Sequence, residues 1–126
     1  MARILIIEDN AANQELAQYL LEHSGHHVLL ADDGRAGVST ARREIPDLII
    51  CDLQMPLLDG YGVLEQLKLD AACAQIPVVA VTAFSMTGDE QKVRLAGFDG
   101  YFSKPIEPQT FVAQIEAFLP PPRSGA

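Results

Sequence analysis

Five side chains that can bind or transfer charged groups stand where short apolar runs of this chain end. They are three carboxylates, a hydroxyl and an ammonium, from Glu8, Asp9, Asp52, Thr82 and Lys104. In an open parallel sheet, the carboxyl ends of the strands share one edge, and ligands bind there. If the apolar runs are parallel strands, these five groups line a single crevice.

Three carboxylates in one crevice repel one another and resist ionisation unless a cation joins them. A small, hard, divalent ion removes that conflict. Mg²⁺ prefers octahedral oxygen ligands and keeps several of its waters, and the same ligand type is consistent with Mn²⁺. We therefore expect a Mg²⁺ site in the crevice formed by Glu8, Asp9 and Asp52.

Short apolar runs alternate along the chain with segments of helical periodicity. Strands are predicted at 3–8, 27–31, 47–52, 77–82 and 100–103. Several of them are continuously apolar, as fully buried parallel strands are. Helices are predicted at 11–23, 33–44, 59–69, 87–96 and 107–119. This alternation predicts an α/β fold, a doubly wound parallel sheet with helices on both faces.

The strength of the helical pattern differs between segments. In 11–23, the residues at helical spacing are Ala12, Leu16, Tyr19, Leu20 and His23. In 87–96, only Val93 and Ala96 lie on a clear inner face. Asp59 is predicted to be the N-cap of the helix that follows it, because aspartate is favoured at that position.

Length and composition indicate one domain of ordinary globular type. The chain has 126 residues, of which 48% are hydrophobic, and a net charge of −8. No stretch approaches the roughly 20 apolar residues that cross a bilayer, and we expect neither membrane insertion nor a signal peptide. The acidic balance argues against direct nucleic-acid binding, which needs clustered basic residues. A cytoplasmic location is the default expectation.

The cysteines and histidines predict no second site. Cys51 and Cys73 give no disulfide framework, and Cys51 is expected to fill space in a buried strand. His23, His26 and His27 have no cysteine or carboxylate at metal-binding spacing, so we interpret them as solvated turn residues.

We expect the domain to span 1–119. The proline-rich segment 120–126 cannot continue the last helix, because proline lacks the amide donor and clashes with the preceding turn. It is interpreted as a tail or as the beginning of a linker.

With these residues in place, the chain resembles a two-component response-regulator receiver domain from Arg3 to about Leu119. The resemblance rests on a set of short motifs: Glu8-Asp9, Asp52 with Met55-Pro56 and Asp59-Gly60, Thr82-Ala83, and Lys104-Pro105. It implies a flavodoxin-like, five-stranded sheet in the order 2-1-3-4-5. Residues 82–90 look like those of cell-division single-domain regulators and of receivers in hybrid kinases.

The resemblance implies that Asp52 is the phosphoacceptor. Its carboxylate would attack a phosphohistidine on a sensor histidine kinase or a histidine phosphotransfer protein, forming an aspartyl phosphate. For Mg²⁺, it implies direct ligation by Asp9, Asp52 and the main-chain carbonyl of Gln54, with Glu8 acting through a water.

Three further residues take roles from the same resemblance. Lys104 would pair with the phosphoryl oxygens, and a cis peptide before Pro105 would point it inward. Thr82 would donate its hydroxyl to a phosphoryl oxygen after phosphorylation. Tyr101 matches the family's switch aromatic and would turn inward as Thr82 moves.

Phosphorylation would bias a two-state equilibrium of the face formed by residues 83–119, which would then bind a downstream protein. Phe84 and Met86 either contact that partner, cover the site or pack locally. Asn10 either caps the first helix or touches an incoming phosphodonor. Gln54 and Phe84 are expected near the mouth of the site, where they would tune how fast water attacks the acyl phosphate. The domain would be a monomer or a weak homodimer.

Two alternatives remain open from the residues. The chain is either a stand-alone receiver or a receiver cut from a longer regulator or hybrid kinase. A remote alternative is a Mg²⁺-dependent phosphatase with an aspartate nucleophile. Haloacid-dehalogenase-like phosphatases, however, carry a second aspartate two residues after the nucleophile, where this chain has Gln54. We therefore expect a switch with self-catalysed phosphoryl chemistry and no metabolic turnover.

Overall fold

A computed structural model describes residues 2–83 and 89–119 of the chain. Five strands alternate with five helices in this part: β1 (Arg3–Ile7), α1 (Ala11–His23), β2 (His27–Ala31), α2 (Gly34–Glu44), β3 (Leu48–Asp52), α3 (Gly60–Leu69), β4 (Val78–Thr82), α4 (Asp89–Ala96), β5 (Gly100–Ser103) and α5 (Pro108–Glu116). Every predicted element is present. Most bounds match the predicted ones, six differ by one residue, and α5 ends three residues early. The first two residues of the predicted helix 87–96 lie outside the described part. None of the helices in these residues is long and apolar enough to span a membrane.

The strands form one parallel sheet in the order β2-β1-β3-β4-β5. This confirms the predicted doubly wound, flavodoxin-like architecture. β3 and β4 are buried along their whole length, as expected for central strands covered by helices on both faces.

Alternation of side chains along each strand divides the apolar interior into two cores. On β1, Leu5 and Ile7 face one core, and Ile4 and Ile6 face the other. The first core includes residues of α2, α3 and α4, among them Val38, Val63, Leu67 and Val93. The second includes residues of α1 and α5, among them Ala17, Leu21, Phe111 and Ile115. Cys51 is fully buried in the first core and fills space there, as predicted.

The inner face of α1 differs from the predicted one. Ala17 and Leu21 are the buried residues of this helix, whereas Leu16 and Tyr19 are 36% and 63% exposed. Two apolar stripes share this helix, and local spacing alone does not decide which one faces the sheet. In α4, Val93 is fully buried as predicted, but Ala96 is exposed.

The prediction that His26 is solvated was wrong. His26 is 9% exposed, while His23 and His27 are exposed as predicted. The main-chain N–H of Ala2 donates to His26 Nδ1 at 3.2 Å, so Nε2 carries the proton and donates to Glu116 Oε2 at 2.7 Å. These partners lie at opposite ends of the chain, and the sequence near His26 does not reveal them.

The connection from β3 to α3 holds the end of β3 in place. Asp59 caps α3, as predicted, by accepting from the main-chain N–H of Gly62 at 2.9 Å. A Cβ atom on Gly60 would lie 2.7 Å from the carbonyl oxygen of Asp52 and 2.9 Å from the Cα of Leu53. Both are main-chain atoms, so a side chain at Gly60 would displace the strand end that carries Asp52.

We predict that Gly60→Ala lowers the free energy of unfolding by about 2 kcal/mol, because overpacking against main chain costs about 1–3 kcal/mol. Gly62→Ala is the matched control in the same helix, since the atoms nearest to its Cβ would be side-chain atoms of Leu58 and Asp59. Urea unfolding followed by circular dichroism measures both. Equal stability of the two variants would show that close packing at Gly60 is not required.

Candidate active site

Sheet register brings the functional residues to one edge. Ile7 pairs with Cys51 and Asp52 pairs with Val81, so Glu8, Asp52 and Thr82 emerge side by side. Lys104 follows β5, and its main-chain N–H donates to the carbonyl oxygen of Thr82 at 2.8 Å. The predicted convergence of these groups at the carboxyl ends of the strands is present.

Glu8, Asp9 and Asp52 form a cluster of carboxylates. One oxygen from each lies within 4.8 Å of the other two. Glu8 and Asp52 are 6% and 4% exposed, whereas Asp9 lies at the open side of the cluster. Three hard oxygen donors at this spacing fit a small divalent cation such as Mg²⁺. The donor set suits Mg²⁺ better than a softer metal, because it contains no thiolate or imidazole.

Lys104 supplies positive charge to this cluster. Its Nζ lies 2.7 Å from Glu8 Oε1 and 3.1 Å from Asp52 Oδ2. The side chain of Lys104 is 14% exposed, so both ion pairs are largely shielded from water. The Lys104–Pro105 peptide bond is cis, as predicted.

Burial and charge shift the protonation of Glu8 and Lys104. Burial and the neighbouring Asp52 carboxyl together raise the pKa of Glu8 to about 7, although the hydrogen bond from Lys104 opposes this rise. For Lys104, burial alone would lower the pKa, but the hydrogen bond to Glu8 and the two carboxylate charges outweigh it, so the pKa is raised. The ammonium is thus held in its charged form, while Glu8 binds a proton readily when no metal is present.

Gln54 joins Asp52 to Thr82. The main-chain N–H of Gln54 donates to Asp52 Oδ1 at 3.1 Å. The Thr82 hydroxyl donates to Gln54 Oε1 at 2.8 Å. The sequence assigned Gln54 a main-chain role in metal binding, and the contact of its side chain with Thr82 was missed. No local signal reveals this contact, because it depends on how β3 and β4 pair.

The remaining predicted residues lie around this site or outside the described part. Asn10 caps α1, accepting from the main-chain N–H of Asn13 at 3.0 Å, so the first of its two predicted roles is confirmed. Tyr101 is half-buried and packs against the core formed with α2, α3 and α4. Phe84 and Met86 lie outside the described residues.

The fold and this arrangement of strand-end groups define a phosphoryl-accepting signalling domain. The sequence profile of the family described as the response regulator receiver domain matches residues 4–116. The chain therefore belongs to the response regulator receiver family, whose members act in two-component signalling through phosphorylation of an aspartate.

Individual relatives agree with this assignment. The polar-differentiation response regulator DivK of Brucella ovis is 40% identical over 116 residues, which cover 92% of this chain and 94% of that protein. The receiver domain of a sensor histidine kinase from Pseudomonas aeruginosa, solved with a magnesium ion coordinated in its active-site cleft, is 30% identical, with a TM-score of 0.84 and coverage of 93% and 96%. A chemotaxis protein of Vibrio cholerae shares the fold, with a TM-score of 0.88, 24% identity and coverage of 94% and 99%.

We predict that the metal-free protein loses stability as pH rises through about 7, the pKa of Glu8 in the folded state. The folded protein keeps this proton above the ordinary pKa of 4.5, whereas the unfolded chain loses it. The stabilising contribution is therefore complete below 4.5 and lost above 7. Its size is on the order of 3 kcal/mol.

Urea unfolding in EDTA at about pH 5 and about pH 8 tests this linkage. Glu8→Gln should remove most of the loss between the two conditions. Glu15→Gln, at an exposed position of α1, is the control and should keep it. A Glu8→Gln variant with the same pH dependence as the wild type would contradict the assignment.

Proposed function

We propose that Asp52 is the phosphoacceptor of this receiver. The observation that supports this most strongly is the position of its carboxylate: Oδ2 is paired with Lys104 at 3.1 Å, and Oδ1 accepts from the main-chain N–H of Gln54 at 3.1 Å. The carboxylate is thus fixed within the acidic cluster. A carboxylate oxygen of Asp52 attacks the phosphorus of a phosphohistidine, a P–O bond forms, and the P–N bond to the leaving imidazole breaks.

The acidic cluster would hold the divalent cation that this family uses. Asp9 and Asp52 are the proposed direct ligands together with the main-chain carbonyl of Gln54, while Glu8 acts through a water. Mg²⁺ is the proposed ion, and Mn²⁺ is compatible with the same ligands. The relative from Pseudomonas aeruginosa with magnesium in its active-site cleft supports this choice. When bound, the ion offsets negative charge on the carboxylates and on the transferred phosphoryl group.

Lys104 and Thr82 are proposed to hold the phosphoryl group after transfer. The ammonium of Lys104 already lies 3.1 Å from the Asp52 carboxylate, so a phosphoryl group on Asp52 would come within reach of it. Charge-assisted hydrogen bonds of this kind are roughly twice as strong as neutral ones. Thr82 ends β4 beside the same carboxylate and would donate its hydroxyl to a phosphoryl oxygen.

The proposed output is a change of protein binding through the face formed by residues 83–119. Phosphorylation adds roughly −1.5 to −2 charges at the carboxyl ends of the strands. Tyr101 is proposed to respond to the movement of Thr82, because the two residues lie on adjacent paired strands. The phosphodonor would be a sensor histidine kinase or a histidine phosphotransfer protein, and the domain would act as a switch without metabolic turnover.

Intact mass spectrometry after incubation with acetyl phosphate tests the phosphoacceptor. We predict one Mg²⁺-dependent phosphoryl mass increment on the wild type and none on Asp52→Asn, since an amide is not a nucleophile for this transfer. Asp47→Asn is a matched control, because Asp47 precedes the other end of β3, and it should keep the increment.

An increment that persists in Asp52→Asn would place the phosphoryl group elsewhere and contradict the assignment. If acetyl phosphate gives no increment, a phosphohistidine donor protein replaces it in the same comparison. Absence of transfer from both donors would reject Asp52 as a phosphoacceptor.

A further inference from the structure

Gln54 contacts the proposed phosphoacceptor and the strand-end hydroxyl at the same time. Its main-chain N–H donates to Asp52, and its side-chain carbonyl accepts from Thr82 at 2.8 Å. The first contact fixes the main chain of Gln54 beside Asp52. The second carries the amide group across to the end of β4, so that one residue bridges two neighbouring strand ends.

The hydroxyl of Thr82 has a single proton to donate. In the described structure, that proton is directed to Gln54. Thr82 is 1% exposed, so water has little access to its hydroxyl. A buried hydroxyl that loses its acceptor is costly. Donation to a phosphoryl group on Asp52 therefore requires Thr82 to leave Gln54 as it gains the new acceptor.

We propose that the Gln54 side chain is a positioning residue that holds the Thr82 hydroxyl away from the phosphoryl group and thereby opposes the switch. This inference rests on the proposed function of Asp52 and Thr82. It gives the side chain of Gln54 a role separate from the main-chain role proposed for metal binding.

Competition between two hydrogen-bond acceptors explains how the contact between Gln54 and Thr82 is broken when the switch operates. The Gln54 amide carbonyl is a neutral acceptor on an exposed residue. A phosphoryl oxygen is a charged acceptor, and hydrogen bonds to charged groups are stronger than those between neutral groups. Thr82 thus stays with Gln54 in the unphosphorylated protein and moves when the phosphoryl group is present. The strength of the hydrogen bond to Gln54 sets how strongly the Thr82 hydroxyl must prefer a phosphoryl oxygen before it moves.

The size of the effect follows from the strength of one neutral hydrogen bond. Loss of the Gln54 acceptor should favour the phosphoryl-bound arrangement by roughly twofold to tenfold. Gln54→Met is the appropriate variant, because methionine has a side chain of similar length without a carbonyl group, and the main-chain N–H that contacts Asp52 remains.

Titration with beryllofluoride, a phosphoryl mimic, in Mg²⁺ buffer tests the role of Gln54. Bound fluoride is followed by ¹⁹F NMR for the wild type, Gln54→Met and Gln66→Met. The control makes the same chemical change on α3, where Gln66 lines a groove against α2. We expect apparent affinity to rise roughly twofold to tenfold in Gln54→Met and to stay at the wild-type value in Gln66→Met.

A Thr82→Val background separates positioning from a merely structural role. If Gln54 acts through the Thr82 hydroxyl, Gln54→Met should not change beryllofluoride affinity in that background. A structural role would instead lower the free energy of unfolding in urea without raising affinity in either background. Unchanged or weaker binding by Gln54→Met, or an equal gain with and without the Thr82 hydroxyl, would overturn the proposal.

The same titration distinguishes failure of this inference from failure of the proposed function. If the wild type binds beryllofluoride, Asp52→Asn does not, and Gln54→Met matches the wild type, only the role of Gln54 is rejected. If the wild type does not bind beryllofluoride in Mg²⁺, the phosphoryl site itself is wrong, and both proposals are rejected together.

Discussion

Repulsion among three carboxylates at one edge of the sheet is the constraint on which the site depends. Glu8 and Asp52 are almost fully buried, so water screens their charges poorly. Two features relieve this repulsion: Lys104 pairs with both residues, and burial together with the Asp52 carboxyl raises the pKa of Glu8 to about 7. The same crowding makes the site receptive to a divalent cation, because a cation removes the repulsion that the fold imposes.

The fold maintains this crowding through main-chain contacts. The carboxylates follow directly from paired, buried strands, whose hydrogen bonds do not depend on the state of the site. The end of β3 is further held by the close approach of Gly60 and by the hydrogen bond from the main-chain N–H of Gly60 to the carbonyl oxygen of Leu53 at 3.1 Å. The carboxylates therefore stay close together, because the main chain that carries them is held in place.

Hydrogen bonding links this charged cluster to the neighbouring strand end. Asp52 contacts Gln54, Gln54 contacts Thr82, and the carbonyl oxygen of Thr82 accepts from the main-chain N–H of Lys104. Lys104 returns to Asp52 through its side chain and closes a ring of contacts around the phosphoacceptor proposed here. A change of charge at Asp52 thus acts on β4 and β5 through short contacts. Of these two strands, β5 belongs to the face of residues 83–119 that is proposed to bind partners.

The ring of contacts also shows why a neutral residue matters in a charged site. Carboxylates and the ammonium respond strongly to a cation or a phosphoryl group. The amide of Gln54 is neutral, so a cation or a phosphoryl group affects it less than it affects the charged groups. Its hydrogen bond to Thr82 is of ordinary strength. Such a contact is strong enough to bias an equilibrium between two arrangements and weak enough for a charged acceptor to displace it.

The sequence by itself determined the alternation of elements, the class of fold and the identity of the groups at the strand ends. Apolar runs of strand length and the capping residues Asn10 and Asp59 are local signals, and their physical causes are local too. Parallel pairing then places the ends of the strands at one edge, so the convergence of Glu8, Asp52 and Lys104 followed from the order of elements alone.

Tertiary structure decided everything that depended on a partner distant in the sequence. Three findings depend on contacts between separate parts of the chain. They are the face of α1 that packs on the sheet, the burial of His26 against Ala2 and Glu116, and the contact between Gln54 and Thr82. Spacing along one helix or loop contains no information about what packs across from it. Register and packing direction set those contacts, and both are properties of the assembled sheet.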